Sequence, residues 1–214
     1  MTKSKTNKTV PSSFRDPSGF LFYKDSSIYR QVNKLYKDDY DHLMKSGLYN
    51  KLVESQLLIP HREVNIQGPD PGKAYKVIEP EPIPFISYPY EWCFSQLKDA
   101  ALATFKIERT AMDYEMTLKD SSAYNIQFKN GNPILIDTLS FKKYTKGETW
   151  IAYRQACQHF IAPLALMAYR DIRLNQLFRI YLDGIPLDLA SALLPSSTGF
   201  KASLLSHIHL HSKS

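Results

Sequence analysis

The tightest constraint in this sequence is an Asn-Gly pair, Asn130-Gly131, set between two short apolar runs. Asn and Gly tolerate the positive φ that a two-residue turn requires, so this pair joins two strands with little strain. The first run carries Ile126 and Phe128, and the second spans residues 133–136. A hairpin here places Asn125, just before the first strand, close to Asp137, just after the second. Asp120 lies five residues before Asn125, in the loop leading into the hairpin. Two carboxylates and an amide oxygen converging on one point suit a hard cation that is also bound to phosphates. The same residues would also serve as a turn cap, a hairpin residue and a strand end.

At 214 residues the chain suits one domain or two intimate lobes, and 43% hydrophobic residues are enough for a packed core. No apolar run approaches the roughly 18 residues needed to cross a bilayer, so no membrane span is expected. The lysines near the N-terminus precede no apolar segment, so no secretory signal is expected. Cys93 and Cys157 are far apart and lack CxxC spacing, which implies neither a disulfide framework nor a zinc site. A reducing cytoplasm is the expected setting. The net charge of +6 favours anionic partners. Nucleic acid is not expected among them, because no basic–aromatic repeat accompanies the charge.

Along the chain, residues 1–13 are polar and lysine-rich and read as a disordered tail, followed by a turn-rich link over 14–19. Residues 20–32 read as a hairpin turning at Asp25-Ser26-Ser27. Residues 36–58 have helical spacing and divide at Ser46-Gly47. Residues 66–72 form a loop, and 74–78 and 83–86 read as short strands interrupted by Pro80, Pro82 and Pro84. Residues 92–116 read as a helix leading into the Asp120 loop, and 142–147 as an exposed connector. Residues 149–169 read as an apolar helix broken near Pro163, with His159 a core histidine. Two shorter helices flank Asp183-Gly184. The terminal His207, His209 and His211 alternate as on a strand, which places them on one face.

The order Asp120-x4-Asn125, hairpin, Asp137 resembles the catalytic core of the protein-kinase-like fold. That resemblance implies an α+β, bilobal architecture, with a small antiparallel N-terminal lobe (14–88) and a mainly helical C-terminal lobe (89–214). It implies Asp120 as the base that accepts a substrate hydroxyl proton, and Asn125 and Asp137 as magnesium ligands. Arg30 falls where the family keeps a phosphate-pairing lysine, and Tyr88 and Tyr90 fall at the hinge where an adenine would slot. ATP and Mg2+ are the implied cofactors, and the phosphate acceptor is left open. Several positions depart from the family pattern. Leu118 and Lys119 stand in place of His and Arg, Asp137-Thr138-Leu139 replaces Asp-Phe-Gly, and Gly19 is the only glycine near the expected phosphate loop.

From Phe14 onward the chain also resembles the N-terminal region of a bacterial family of class I SAM-dependent methyltransferases. FRDPSGFLFYKD (14–25), IYRQVNKLY (28–36), PFISYPYEWCFSQLKDAAL (84–102) and LFRIYLDGIPLDLAS (177–191) carry this likeness. It implies a methyltransferase domain downstream as a partner. The chain itself has no GxGxG strand-to-helix turn, so SAM binding is not expected here. Two classes of function therefore stand side by side. One is an ATP-dependent phosphotransferase. The other is a non-catalytic module that presents a substrate or partner to a methyltransferase.

Overall fold

A five-stranded antiparallel sheet forms the N-terminal part of the molecule, in a computed structural model that describes residues 8–10, 13 and 16–213. Its strands are β1 (Lys8–Thr9), β2 (Gly19–Lys24), β3 (Ser27–Asn33), β4 (His61–Glu63) and β5 (Ala74–Pro80), in the order β1-β2-β3-β5-β4. β2 and β3 form the hairpin expected over 20–32. Its two turn residues, Asp25 and Ser26, have φ of +51° and +70°, the two positive values of a type I′ turn. Leu21 pairs with Arg30 and Tyr23 with Ile28, so these four side chains share one face. Phe22 and Gln31 are fully buried on the other face.

Most of the expected tail, residues 1–7, 11 and 12, lies outside the described residues, as do residues 14 and 15 of the link. Lys8 and Thr9, read from the sequence as part of that tail, pair with Tyr23 and Phe22. The strand expected over 83–86 does not form. Prolines at 80, 82 and 84 remove the ladder donors there, and the sheet ends where Pro80 meets His61.

Between β3 and β4 run α1 (Lys37–Lys45) and α2 (Leu48–Glu54), separated by Gly47 at φ +93°. Tyr36 and Tyr40 pack against Val32, Ile78 and Leu139, fastening this segment under the sheet. Each large side chain removed from water in this way contributes about 1.5–3 kcal/mol.

The 19-residue α3 (Phe94–Met112) crosses the main core. It leads into β6 (Met116–Leu118), which pairs with β9 (Phe141–Lys143). Between them stands the Asn-Gly hairpin, β7 (Ile126–Lys129) and β8 (Asn132–Leu135), with φ of +53° at Asn130 and +80° at Gly131. The hairpin docks onto the chain leaving α2: Leu135 N donates to Leu57 O at 2.9 Å and Ile59 N to Leu135 O at 2.8 Å.

The apolar stretch 149–169 is helical, as its spacing predicts, but changes pitch on the way. α4 (Tyr153–Ala156) runs into a π-helical turn (Cys157–Ile161) before α5 (Ala162–Tyr169), whose first turn contains Pro163. Pro163 has no amide to donate, and the Gln158 carbonyl five residues back instead accepts from Ile185 N at 3.0 Å. A 3-10 segment (Ile172–Arg179), α6 (Leu187–Leu193) and α7 (Ala202–Leu204) follow.

The strand expected at 207–211 is instead helical, a π turn over Leu205–His209. Ile208 is fully buried in the same apolar cluster as Leu166 and Ile185, and this packing overrides the two-residue alternation. His209 sits between Ser191 Oγ (2.8 Å) and Thr198 Oγ1 (2.9 Å), while His207 meets the Tyr153 hydroxyl. His207 and His211 both pack on the Tyr153 ring, at 5.9 and 5.1 Å, so the three histidines do not all share one face. Among the described residues no helix is long and apolar enough to cross a membrane.

Candidate functional site

The Asn-Gly hairpin brings its two ends together. Leu135 is opposite Ile126, and Ile136 N donates to Asn125 O at 2.8 Å, so Ile136 lies opposite Asn125 and Asp137 is one residue further along. Asp137 then caps a 3-10 turn (Thr138–Ser140), its Oδ1 accepting from Leu139 N at 2.8 Å. Asn125 Nδ2 donates to Ser140 Oγ at 3.4 Å. Lys119 N donates to Ser140 O at 2.8 Å and brings the Asp120 loop against the same turn.

Asp120 is held from behind. Its Oδ1 accepts from Ser122 N at 2.9 Å and from Gln155 Nε2 at 2.8 Å, and Gln155 Oε1 accepts from Ser121 N at 2.7 Å. The loop is propped further by His159, fully buried, whose Nδ1 accepts from Ala123 N at 3.3 Å. Burial lowers the His159 pKa to about 4, against the opposing pull of the Asp120 and Asp183 charges. A second imidazole, the half-buried His61, lies 3.5 Å from Thr138 Oγ1 and 3.2 Å from the Tyr40 hydroxyl. Burial lowers it to about 4 as well, with Glu63 opposing.

Arg30 reaches this turn from β3. Its guanidinium grips Asp137 with two nitrogens, one on each carboxylate oxygen, the second contact at 3.2 Å. The side chains are only 10% and 14% exposed, so the pair is largely out of water. Arg30 Nε is buried and has no hydrogen-bond partner among the described residues. Beside the pair, the Lys119 ammonium contacts Ser18 Oγ, lies 3.8 Å from Asp16 and sits 4.7 Å above the Tyr36 ring. At the 137–140 turn Asp137 therefore pairs with Arg30 and Asn125 bonds to Ser140, while Lys119 and Asp120 lie on the loop that the Lys119 amide ties to Ser140.

A cleft of about 440 Å3 opens beside the β2–β3 hairpin, lined by Leu21, Ile28, Ile59, Ile83, Ile86 and Ile136 together with the carboxylates Glu79 and Glu81. Ile28 and Leu21 share a sheet face with Arg30, two positions along β3 and directly opposite on β2, but Arg30 and Asp137 do not themselves line the cleft.

Of the residues singled out in the sequence, Arg30 and Asp137 come together, Asn125 bonds to Ser140 in the turn that Asp137 caps, and Asp120 stands on the adjoining loop. Tyr88 and Tyr90 do not line the cleft. They stack on each other at 5.4 Å, with Arg179 5.0 Å from the Tyr90 ring, while Asn175 and Gln176 hold the Tyr90 carbonyl. They thus belong to the junction with the 172–179 segment, a role that two Tyr residues flanking a proline do not announce. The cleft residues Leu21, Ile28 and Ile136 were readable in principle, from their spacing to Arg30 and Asp137.

The donor set fits a hard cation that arrives with phosphates. Asp137 offers a carboxylate, and Asn125, with its Nδ2 on Ser140, leaves Oδ1 as a carbonyl donor. Among the described residues no three His, Cys, Asp or Glu side chains form a metal cage. Magnesium is commonly held by one or two side-chain oxygens, with phosphates and water completing the shell.

No family model matches the chain. Nodulation protein NoeA of Rhizobium meliloti (strain 1021) is 32% identical to it over 211 residues, a match covering 95% of this chain and 43% of that protein. The chain thus spans less than half the length of the curated relative it matches.

Proposed function

We propose that this chain is a kinase-like, bilobal nucleotide-binding domain that takes ATP with magnesium and transfers phosphate to an acceptor hydroxyl. The observation behind this reading is the Arg30–Asp137 pair at the exit of the Asn-Gly hairpin, with Asn125 bonded to Ser140 of the turn that Asp137 caps. In this reading the base lies among Leu21, Ile28 and Ile136, and Arg30 pairs with the phosphates. Asn125 and Asp137 hold the magnesium, which would neutralise phosphate charge. Asp120 accepts the acceptor proton as that oxygen bonds to the γ-phosphorus and the bond to the β–γ bridging oxygen breaks, releasing ADP. Gln155 and Ser122 orient the Asp120 carboxylate for that task. The free thiols at Cys93 and Cys157 accord with a cytoplasmic setting.

A second reading has one observation behind it. Because the matched relative is more than twice as long as the aligned stretch, the domain could serve as a non-catalytic module for a downstream methyltransferase domain within a nodulation protein.

A thermal-shift series with ATP, GTP and SAM, each with and without magnesium, separates these readings. Magnesium-dependent stabilisation by ATP is expected, together with phosphate release or transfer that Asp120→Asn abolishes while binding persists. Binding without turnover in the wild type selects the module. Stabilisation by SAM alone overturns the nucleotide reading.

A further inference from the structure

The β3–β5 ladder stops where Arg30 pairs with Ile78. Two positions further on, Ile28 would face Pro80, which has no amide to donate, so the strands part and the 440 Å3 cleft opens between them. Its walls are mostly aliphatic, and its polar groups are one-sided. Glu79 and Glu81 both line it, whereas no lysine, arginine or histidine does. Arg62 holds Glu79 through Oε2 alone, at 2.7 and 2.6 Å, and Lys129 holds Glu81 through Oε1 alone. Among the described residues nothing claims Glu79 Oε1 or Glu81 Oε2. The stretch between them has no free amide: Pro80 and Pro82 lack one, and Glu81 N donates to Pro60 O at 2.8 Å.

We propose that this cleft binds a small organic amine, an apolar body carrying one ammonium head. The body displaces water from Leu21, Ile28, Ile59 and Ile136, and the volume suits a body of one or two rings. The head donates to the two unclaimed carboxylate oxygens. An ammonium has donors and no acceptor, the complement of a wall that offers acceptors. Tyr23 also lines the cleft and offers its ring to the same cation. An anionic head would instead meet two carboxylates, with their cations Arg62 and Lys129 standing outside the cleft. This site uses only the walls of the cleft and stands whether or not a nucleotide binds.

Calorimetry on the full chain at neutral pH tests this with three probes that share a naphthyl body and differ in the head. They are naphthylmethylamine, a cation; naphthylmethanol, which is neutral; and naphthoate, an anion. The expected result is saturable binding of the amine, about tenfold tighter than the alcohol, and no saturable binding of naphthoate. Glu79→Gln combined with Glu81→Gln should bring the amine down to the level of the alcohol. Ile83→Ser should weaken amine and alcohol together several-fold, because it changes the apolar wall and not the charge. Absence of saturable amine binding overturns the proposal, as does naphthoate binding as tightly as the amine. An undiminished preference for the amine in the doubly substituted protein, shown to be folded by circular dichroism, also overturns it. So does amine binding that Ile83→Ser leaves untouched.

Discussion

Two hairpins of the same design meet at the centre of this molecule, and they differ in how their turns are made. The β7–β8 hairpin turns on Asn130-Gly131, and the β2–β3 hairpin makes the same type of turn with Asp25 and Ser26. The first presents Asp137 and the second presents Arg30, across a separation of 107 residues. The Asn-Gly hairpin is also buttressed by two imidazoles, the buried His159 before its first strand and the half-buried His61 after its second. Among the described residues no imidazole hydrogen-bonds to the β2–β3 hairpin. A site assembled from one strongly specified hairpin and one weakly specified one depends on the contact between them.

The largest effect should come from breaking that contact. Asp137→Ala or Arg30→Ala leaves a buried charge alone and should cost about 3–5 kcal/mol. Replacing both at once, as Arg30→Met with Asp137→Leu, should recover most of that loss, because an apolar pair of similar volume needs no counter-charge. Urea denaturation of the three proteins measures this. Single variants as stable as the wild type would mean that the hairpins are held together elsewhere.

Acid should loosen the buttressed hairpin next. His61 and His159 have pKa values of about 4 when folded, against about 6.5 in an unfolded chain. Between those values the unfolded chain binds more protons, so stability is complete above about pH 6.5 and declines as pH falls towards 4. The loss is on the order of 3 kcal/mol for each group that remains buried. Denaturation midpoints at pH 7, 6 and 5 should fall steadily, and His159→Gln should show a shallower decline. A flat profile would show that the imidazoles are not held neutral by burial.

What could be read from the sequence follows the same division. Asn130-Gly131 carries its own conformational preference, so the hairpin and the loop that leads into it were legible. Asp25-Ser26 gives a weaker signal, yet the aromatic and β-branched residues around it still marked two strands. The ion pair was not legible, because it depends on how the sheet packs against the 137–140 turn, and no local pattern records that. Tyr88 and Tyr90 misled because exposed aromatics near a chain junction look the same whether they face a cleft or a neighbouring segment. The terminal histidines misled because their alternation carried less weight than the burial of Ile208.

A smaller effect concerns how closely the hairpins approach. A Cβ on Gly19 would lie 2.1 Å from Gln31 O and 2.7 Å from Leu139 Cδ1, between the first hairpin and the turn after Asp137. Gly19→Ala should therefore cost about 1–3 kcal/mol by forcing backbone apart. It should also weaken any ligand that needs the Arg30 and Asp137 positions. Chemical denaturation reads the first effect, and an unchanged midpoint would show that β2 can shift freely over the turn.

The smallest effect separates the two turns themselves. A Cβ on Gly131 would meet nothing within 4 Å, so Gly131→Ala tests backbone conformation alone, at φ +80°. Forcing an L-residue into that region should cost about 1 kcal/mol. Ser26 already bears such strain at φ +70°, and Ser26→Gly relieves it. The gain is offset because glycine also gives the unfolded chain more freedom, by about 0.5–1 kcal/mol. The two substitutions should therefore differ in size as well as sign, with Gly131→Ala clearly destabilising and Ser26→Gly nearly neutral. If Ser26→Gly instead stabilised by more than about 1 kcal/mol, the first hairpin would be storing more turn strain than its two φ values imply, and the weaker specification of that hairpin would be energetic as well as statistical.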